Sequence, residues 1–293
     1  MEKRLIARVY TLTAAVIWGT SFVVIRWGLA FVPAMQFLFL RFLIASMIML
    51  VGLITTGRLY EVKKLLGEEV IIFAALLNAL GYIFQFLGQQ YTIATNASLL
   101  VNTSAIFVAI FAHFMLKEKL NLIRGVAVLI ALIGTFMLIT NLSLSTILTK
   151  YFLGDILCLL SGASWGLYIV YTKKIAMTKV DDYSLMAVWF VYTTIFVFPL
   201  VLLQGFRPLG LSGWLAILYT SILCTIIGFL LWFNGLKILE AVTSSIYFLL
   251  EVVISACLEF LIFGLSLTFI KIVGALMICI GVILTDISYR SGS

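Results

Sequence analysis

A chain of 293 residues that is 64% apolar and only 11% charged has too little polar surface to cover a water-soluble globule of its size. Its net charge of +7 sits in short loops between apolar runs, where lipid headgroups and membrane topology account for it, so it does not point to nucleic acid. His113 is the only histidine, which excludes a His-His metal site, and no cofactor motif is present. The four cysteines, Cys158, Cys224, Cys257 and Cys279, lie in apolar segments without CxxC spacing and read as small buried hydrophobes.

Ten apolar segments, each long enough to cross ~30 Å of hydrocarbon, follow one another along the chain. They run over 8–28, 34–55, 69–91, 95–116, 121–141, 154–174, 183–204, 212–235, 240–263 and 267–287. Lys3, Arg4 and Arg8 precede the first, as in a signal peptide. That segment is too long, lacks a clean small-residue cleavage site and carries a motif that recurs in mid-chain, so a membrane span is expected. Fourteen Lys and Arg (positions 3, 4, 8, 58, 63, 64, 117, 119, 124, 173, 174, 179, 237 and 290) fall on one side of the membrane. Only four (26, 150, 207 and 271) fall on the other, and Arg41 lies within a span. The positive-inside rule then predicts that both termini are cytoplasmic in a multi-pass protein of the cell membrane.

The first segment contains Trp18-Gly19-Thr20-Ser21-Phe22-Val23, and Trp165-Gly166-Leu167-Tyr168-Ile169-Val170 follows 147 positions later. The same offset maps Gly81 onto Gly228, Gly88 onto Gly235, Ala94 onto Ala241, Ser98 onto Ser245, Leu120 onto Leu267 and Gly134 onto Gly281. With nine glycines in residues 1–146 and twelve in 148–293, chance pairing gives fewer than one coincidence, against four found. An internal duplication follows, with repeats over 1–146 and 147–293. Five spans per repeat is an odd number, so the second copy enters the membrane inverted. Inverted repeats around a site at the midplane are a recurrent plan of secondary transporters. The expected fold is an all-α membrane protein of ten transmembrane helices, two inverted five-helix repeats around a central cavity.

Polar stripes indicate what each helix faces, because a polar group in lipid must find a partner or water. Segment 3 aligns Asn78, Tyr82, Gln85 and Gln89; segment 4 aligns Ser98, Asn102 and His113; segment 6 aligns Ser161, Ser164, Tyr168 and Tyr171. Segment 8 carries Ser221, Thr225, Trp232 and Asn234; segment 9 carries Ser244, Tyr247, Glu251, Ser255 and Glu259; segment 1 adds Trp18 and Ser21. Any one of these can simply glue two helices together. Six helices with coherent stripes instead predict a wet cavity walled by segments 1, 3, 4, 6, 8 and 9. Its expected substrate-binding set is Trp18, Ser21, Asn78, Tyr82, Gln85, Asn102, Tyr168, Trp232, Tyr247 and Glu251. Segments 2, 5, 7 and 10 are expected to brace it, with Gly125, Gly134, Gly274 and Gly281 at close helix contacts.

Glu251 lies near the middle of segment 9, where a bare carboxylate costs about 3 kcal/mol, so it needs a proton, a partner or water. It reads equally as a protonated acid bonded to a neighbouring helix or as a group that binds an amino-bearing substrate or carries a proton. Glu259, two turns further out, reads as a vestibule or structural group. Arg41 reads as structural, snorkelling or tying two helices together. His113, beside Lys117-Glu118-Lys119, reads as an interfacial residue, with a proton-responsive gate as the alternative.

The chain resembles the EamA family of the drug/metabolite transporter superfamily over nearly its whole length. The resemblance rests on Trp18-Gly19-Thr20-Ser21-Phe22, Leu40-Arg41-Phe42, Ala94-Thr95-Asn96-Ala97-Ser98 and Leu116-Lys117-Glu118-Lys119-Leu120. In the second half it rests on Trp165-Gly166-Leu167-Tyr168, Ala241-Val242-Thr243-Ser244-Ser245 and Leu250-Glu251-Val252. It implies ten helices, a central cavity, alternating access and, most often, export of amino acids, other small metabolites or toxic compounds. Val252 stands where the family usually has a proline after the glutamate, and Gly264-Leu265 where it usually has Gly-Glu.

A secondary transporter of a small, partly apolar metabolite, with proton coupling as an option, is therefore the leading expectation. Import and multidrug export on the same fold are alternatives. No GxxxxGK[ST] loop supports an ATP-driven pump. An intramembrane enzyme is disfavoured because HExxH is impossible with one histidine and no aspartyl pair lies at mid-membrane. A channel would differ in showing no counterflow.

Overall fold

With no water in hydrocarbon, a spanning backbone must bond to itself, and apolar runs of this length do so as helices. The computed structural model describes residues 2–91, 94–118, 122–143, 152–177, 180–264 and 268–291, and their regular structure is helical throughout. The first repeat holds α1 (Glu2–Leu29), α2 (Ala34–Thr55), the short α3 (Leu59–Leu65), α4 (Glu69–Tyr91), α5 (Ala94–Asn102), α6 (Ser104–Leu116) and α7 (Leu122–Thr140). The second holds α8 (Phe152–Ala176), α9 (Asp182–Gln204), α10 (Leu211–Tyr219), a π-helical segment (Thr220–Ile227), α11 (Gly228–Ile238), α12 (Ala241–Phe248), α13 (Leu250–Phe263) and α14 (Phe269–Ser291). Nine runs among the described residues are long and apolar enough to cross a membrane, and Phe269–Thr285 supplies a shorter tenth. The protein is a ten-helix, multi-pass membrane protein.

The helices pair symmetrically. α1 packs on α11 as α8 packs on α4, and α1 packs on α13 as α8 packs on α6. α2 on α9 and α7 on α14 join each bracing helix to its own repeat equivalent. Exchanging the two copies leaves this scheme unchanged, as a two-fold axis in the membrane plane requires.

The offset of 147 holds at the level of atoms. A Cβ added to Gly81 would lie 3.0 Å from the Trp165 ring, and one on Gly228 2.8 Å from Nε1 of Trp18. Gly88 leaves room for Cys158, and Gly235 for Thr11, the residue 147 positions before Cys158. A Cβ on Gly134 would meet the Gly274 carbonyl oxygen at 2.6 Å, and one on Gly281 the Ala127 carbonyl oxygen at 2.8 Å. These contacts hold helix backbones close enough for dispersion to bind them without a hydrophobic drive. Gly125 has open space around it, so it takes no part in the close contact expected of it.

Two crossings are discontinuous within one residue of equivalent points. α5 gives way to α6 at Thr103 and α12 to α13 at Leu249, each through tighter i→i+3 bonds: Thr103 N–H to Leu100 O at 3.2 Å, Leu249 N–H to Ile246 O at 3.1 Å. The second break occurs although Val252 replaces the usual proline. Across the bilayer, Phe114, Leu203 and Phe269 point outward, where lipid would cover them.

Both chain ends lie on one face, because the number of crossings is even. Near that terminal face, α6 packs on α12. Towards the opposite face, α5 packs chiefly on α8 and α7, and α13 chiefly on α1. The broken helices thus meet at the terminal end and diverge at the other.

Candidate substrate cavity

Six helices and one arginine enclose a cavity between the repeats, with about 90 Å³ open to the centres of water molecules, room for several. The six are the expected ones. α1 contributes Trp18, Ser21, Phe22 and Ile25; α4 contributes Tyr82 and Gln85; α8 contributes Trp165, Tyr168 and Ile169. α11 brings Phe229 and Trp232, and both breaks open onto the space: Asn102 and Ser104 flank Thr103, while Phe248, Leu249 and Glu251 surround the other.

Of the expected binding set, Trp18, Ser21, Tyr82, Gln85, Asn102, Tyr168, Trp232 and Glu251 come together on this wall. Asn78 and Tyr247 do not. Asn78 is buried with its Oδ1 accepting from Thr193 Oγ1 at 3.3 Å, and Tyr247 packs with Ala7 and Leu239 outside the cavity. Asn78 has the right face but lies one turn short of Tyr82 along α4, whereas Tyr247 lies between Ser245 and Phe248, both on the wall, so its depth is right and its face is not. The stripes on segments 6 and 8 also serve structural needs. Ser164, Ser221, Thr225 and Asn234 bond carbonyls of their own helices, and Ser161 Oγ donates to Gly81 O at 2.8 Å. Ser98 lies among residues whose side chains are outside the described set.

Aromatic rings form much of the wall. Trp18 makes edge contacts with Phe248 at 4.9 Å and Phe229 at 5.3 Å, and Trp232 lies 5.6 Å from Tyr168. Tyr82 meets Trp165 edge-on at 4.7 Å. Trp18 Nε1 donates to Cys224 O at 2.8 Å and Trp232 Nε1 to Ser244 Oγ at 3.2 Å, whereas Trp165 Nε1 is buried with no acceptor among the described residues. Such rings offer a large apolar surface at little conformational cost.

Glu251 reaches the cavity with no hydrogen bond or ion pair to any described residue. The bonded-acid reading of it therefore has no partner here. Arg41, on a helix expected only to brace, also lines the cavity and is 1% exposed. It ties α2 to two neighbours instead of reaching the interface: Nε donates to Thr225 Oγ1 at 2.7 Å and Nη2 to Tyr82 OH at 3.1 Å. The π-helical turn makes the first bond available, because Thr225 Oγ1 donates to Thr220 O, five residues back, and presents its lone pairs to Arg41.

The other titratable residues lie on the rims. Glu259 pairs with Arg26 at 3.0 Å, both partly exposed, and the exposed His113 sits 3.3 Å from Glu118 O. Cys257 is exposed, unlike the buried Cys158 and Cys224. At the terminal face, a charged network converges on the α11–α12 junction. Glu118 accepts from the N–H groups of Ala241 at 2.9 Å and Val242 at 3.3 Å, Arg124 pairs with Glu240, and Asp182 with Lys237. Lys173 Nζ caps the carbonyls of Leu236 and Leu239, both at 2.7 Å. Burial pushes the Glu118 carboxyl above its ordinary range, although the two N–H groups pull it back. Nearby, Arg58 bridges Asp181 and Glu61, and Ser184 Oγ donates to Glu61 at 2.9 Å. The Arg58 and Ser184 bonds hold Glu61 below its ordinary range. Burial acts to raise Asp181, but the Ser184 N–H and Arg58 outweigh it and leave that carboxyl low as well.

Sequence reasoning named Trp18 but missed Trp165, and named Tyr82 and Trp232 but missed Phe229. The signal was available: the 147-residue offset maps Trp18 onto Trp165 and Tyr82 onto Phe229.

Comparison with known proteins agrees with this architecture. A protein named "Uncharacterized transporter" from Archaeoglobus fulgidus is 30% identical over 92% of this chain and 93% of its own. Bacillus subtilis "Uncharacterized transporter YoaV" is 26% identical over 95% of this chain and 96% of its own. A Salmonella typhimurium protein named "Probable amino-acid metabolite efflux pump" is 24% identical over 95% and 94%. A solved crystal structure superposes with a TM-score of 0.83 over 97% of this chain and 98% of its own at 18% identity, a likeness of fold. The sequence profile of the EamA-like transporter family matches residues 5–140 and 152–286, one copy on each repeat. A ten-helix, two-repeat fold around a shared cavity and these matches together make the chain a membrane transporter belonging to the EamA-like transporter family.

Proposed function

We propose that this protein is a secondary transporter of the cell membrane that exports small amphipathic metabolites, amino acids among them, by alternating access. The observation that carries this reading is one cavity walled by equivalent positions of two repeats, with its broken helices joined near one face and apart towards the other. Residues 1–146 and 147–293 are the two moving halves, and both termini are cytoplasmic, in line with the bias of Lys and Arg. The arrangement described is then closed towards the cytoplasm. The rings of Trp18, Tyr82, Tyr168 and Trp232 hold the apolar body of the substrate, while Ser21, Gln85 and Asn102 offer it hydrogen bonds. Glu251, without a protein partner, takes the substrate's amino group or a proton. Asn78 and Tyr247 keep the surrounding helices in place, Glu259 belongs to the outer vestibule, and His113 to the cytoplasmic rim. The efflux name of the Salmonella relative supports export of amino-acid metabolites, and no catalytic step is assigned.

The test is reconstitution of the full chain in proteoliposomes without ATP, with a labelled panel of amino acids, amines, carboxylates and drugs, and a pH gradient imposed and then removed. Saturable counterflow of at least one compound is expected, and Glu251→Gln should lower its rate or its pH dependence at least about tenfold, one charged hydrogen bond's worth. Flux without saturation or counterflow would indicate a channel and end the reading. Proton-dependent flux untouched in Glu251→Gln would end the coupling role alone.

A further inference from the structure

Arg41 is a cation with no counter-ion among the described residues. It is 1% exposed, yet no carboxylate lies within ion-pairing distance among the described residues. Of its five N–H donors, one goes to Thr225 Oγ1 and one to Tyr82 OH, both neutral oxygens. Beneath it lie the rings of Tyr82 at 4.9 Å and Phe42 at 5.6 Å, which favour positive charge but do not neutralise it. Nη1 makes no bond to any described residue, and it is not one of the fully enclosed unpartnered atoms, so it keeps access to the cavity that Arg41 lines.

A tie between helices needs no charge, because the neutral amide of a glutamine can bridge two hydroxyls. A buried, uncompensated guanidinium is costly, and the cost falls when an anion arrives in its plane. The fixed geometry favours that: Nε and Nη2 are held, so the remaining edge is preset for a planar oxyanion. The carboxyl on the cavity wall, Glu251, does not pair with Arg41. The repeat equivalent of Arg41 is Val188, so the charge belongs to one side only.

We propose that Arg41 is the anion-binding residue of the cavity, and that its free edge receives the carboxylate of the transported compound. This rests on the transport reading and narrows it: a carboxylate is required, and an ammonium group, where present, lies towards Glu251. Compounds that carry only a cation lack the group that completes the site.

Two matched sets of probes test this on the purified full chain: leucine, leucinamide and 4-methylpentanoate, and phenylalanine, phenylalaninamide and 3-phenylpropanoate. Trp18, Trp165 and Trp232 line the cavity, so tryptophan fluorescence reports binding directly, and counterflow in proteoliposomes reports transport. For wild type, each amide is expected to bind at least tenfold more weakly than its amino acid, with the des-amino carboxylate retaining binding. In Arg41→Gln that discrimination should fall to within about twofold, and Arg41→Lys should restore part of it. The wild-type comparison needs no variant, so a misfolded Arg41→Gln protein does not rescue or spoil the result. Amides binding or moving as well as the acids would overturn the proposal and leave transport standing. So would a monodisperse Arg41→Gln protein with unchanged discrimination. Failure of every compound in the wider panel to show counterflow would instead remove the transport reading on which the proposal rests.

Discussion

The two repeats agree where they pack and differ where they face the cavity. Glycines at 81, 88 and 134 meet the same kinds of neighbours as those at 228, 235 and 281, and the two broken crossings bend within one residue of the same position. On the cavity wall the equivalent positions diverge: Tyr82 against Phe229, Gln85 against Trp232, Asn102 against Leu249, Ser104 against Glu251 and Ser21 against Tyr168. Arg41 answers to Val188. Packing is therefore shared by both copies, while the polar chemistry is unevenly divided. The first repeat supplies the guanidinium, a phenol and two amides, and the second supplies the carboxylate, one phenol and most of the apolar wall. A cavity with this asymmetry gives a bound molecule one preferred orientation.

If packing is what the copies share, bulk should harm them equally. Gly134→Val and Gly281→Val each push a side chain into a facing carbonyl, so both should lose roughly 3 kcal/mol or fail to fold. Thermal unfolding in detergent followed by size-exclusion chromatography checks this. A large loss in one and none in the other would break the comparison.

The paired tryptophans should separate by about 1 kcal/mol. Replacing either by Phe removes similar ring area, but only Trp18→Phe also removes a hydrogen bond, the one to the Cys224 carbonyl. Trp165→Phe should unfold at the higher temperature, and the reverse order would show that Nε1 of Trp18 contributes nothing.

A smaller difference lies at the ends of the broken helices. Lys117, at φ 56°, occupies the left-handed position that Gly264 occupies in the second repeat at φ 65°. A side chain there is strained, so Lys117→Gly should stabilise by about 0.5–1 kcal/mol, and Gly264→Ala should destabilise by about 1 kcal/mol. Equal and negligible shifts in both melting curves would count against strain at this cap.

The smallest effect is in pH dependence. By sequence offset Glu118 answers to Leu265, so this carboxyl has no counterpart in the second copy. Its proton is held more tightly in the folded chain, since burial raises it. Its contribution to stability is therefore full below the ordinary carboxylate range and is lost as pH rises through the raised value. Glu118→Gln stays neutral and keeps an oxygen for Ala241 and Val242, so its stability relative to wild type should rise between acid and neutral pH. Asp181 and Glu61 run the other way, contributing above the ordinary range and losing that contribution as pH falls through their lowered values. A relative stability of Glu118→Gln that falls with rising pH would contradict the burial argument.

Membrane insertion, the number of crossings and the duplication were legible in the residues themselves. Backbone satisfaction in lipid leaves few options, and a glycine required for a close helix contact marks its place in the sequence. The cavity's helices were legible for a related reason: a polar face on a spanning helix needs a wet or polar neighbour, and six helices had one. Depth along a helix was not legible, which is why Asn78 lies on the right face yet short of the wall, and neither was the way Tyr247 faces away from a wall that Ser245 and Phe248 line. Nor was the break at Leu249 without a proline, the π turn that offers Thr225 to Arg41, or the seclusion of Arg41 from every carboxylate among the described residues. Periodicity assigns a residue to a face by local geometry alone. Which group meets it across the cavity depends on how two inverted copies dock, and that depends on contacts between residues far apart in the chain.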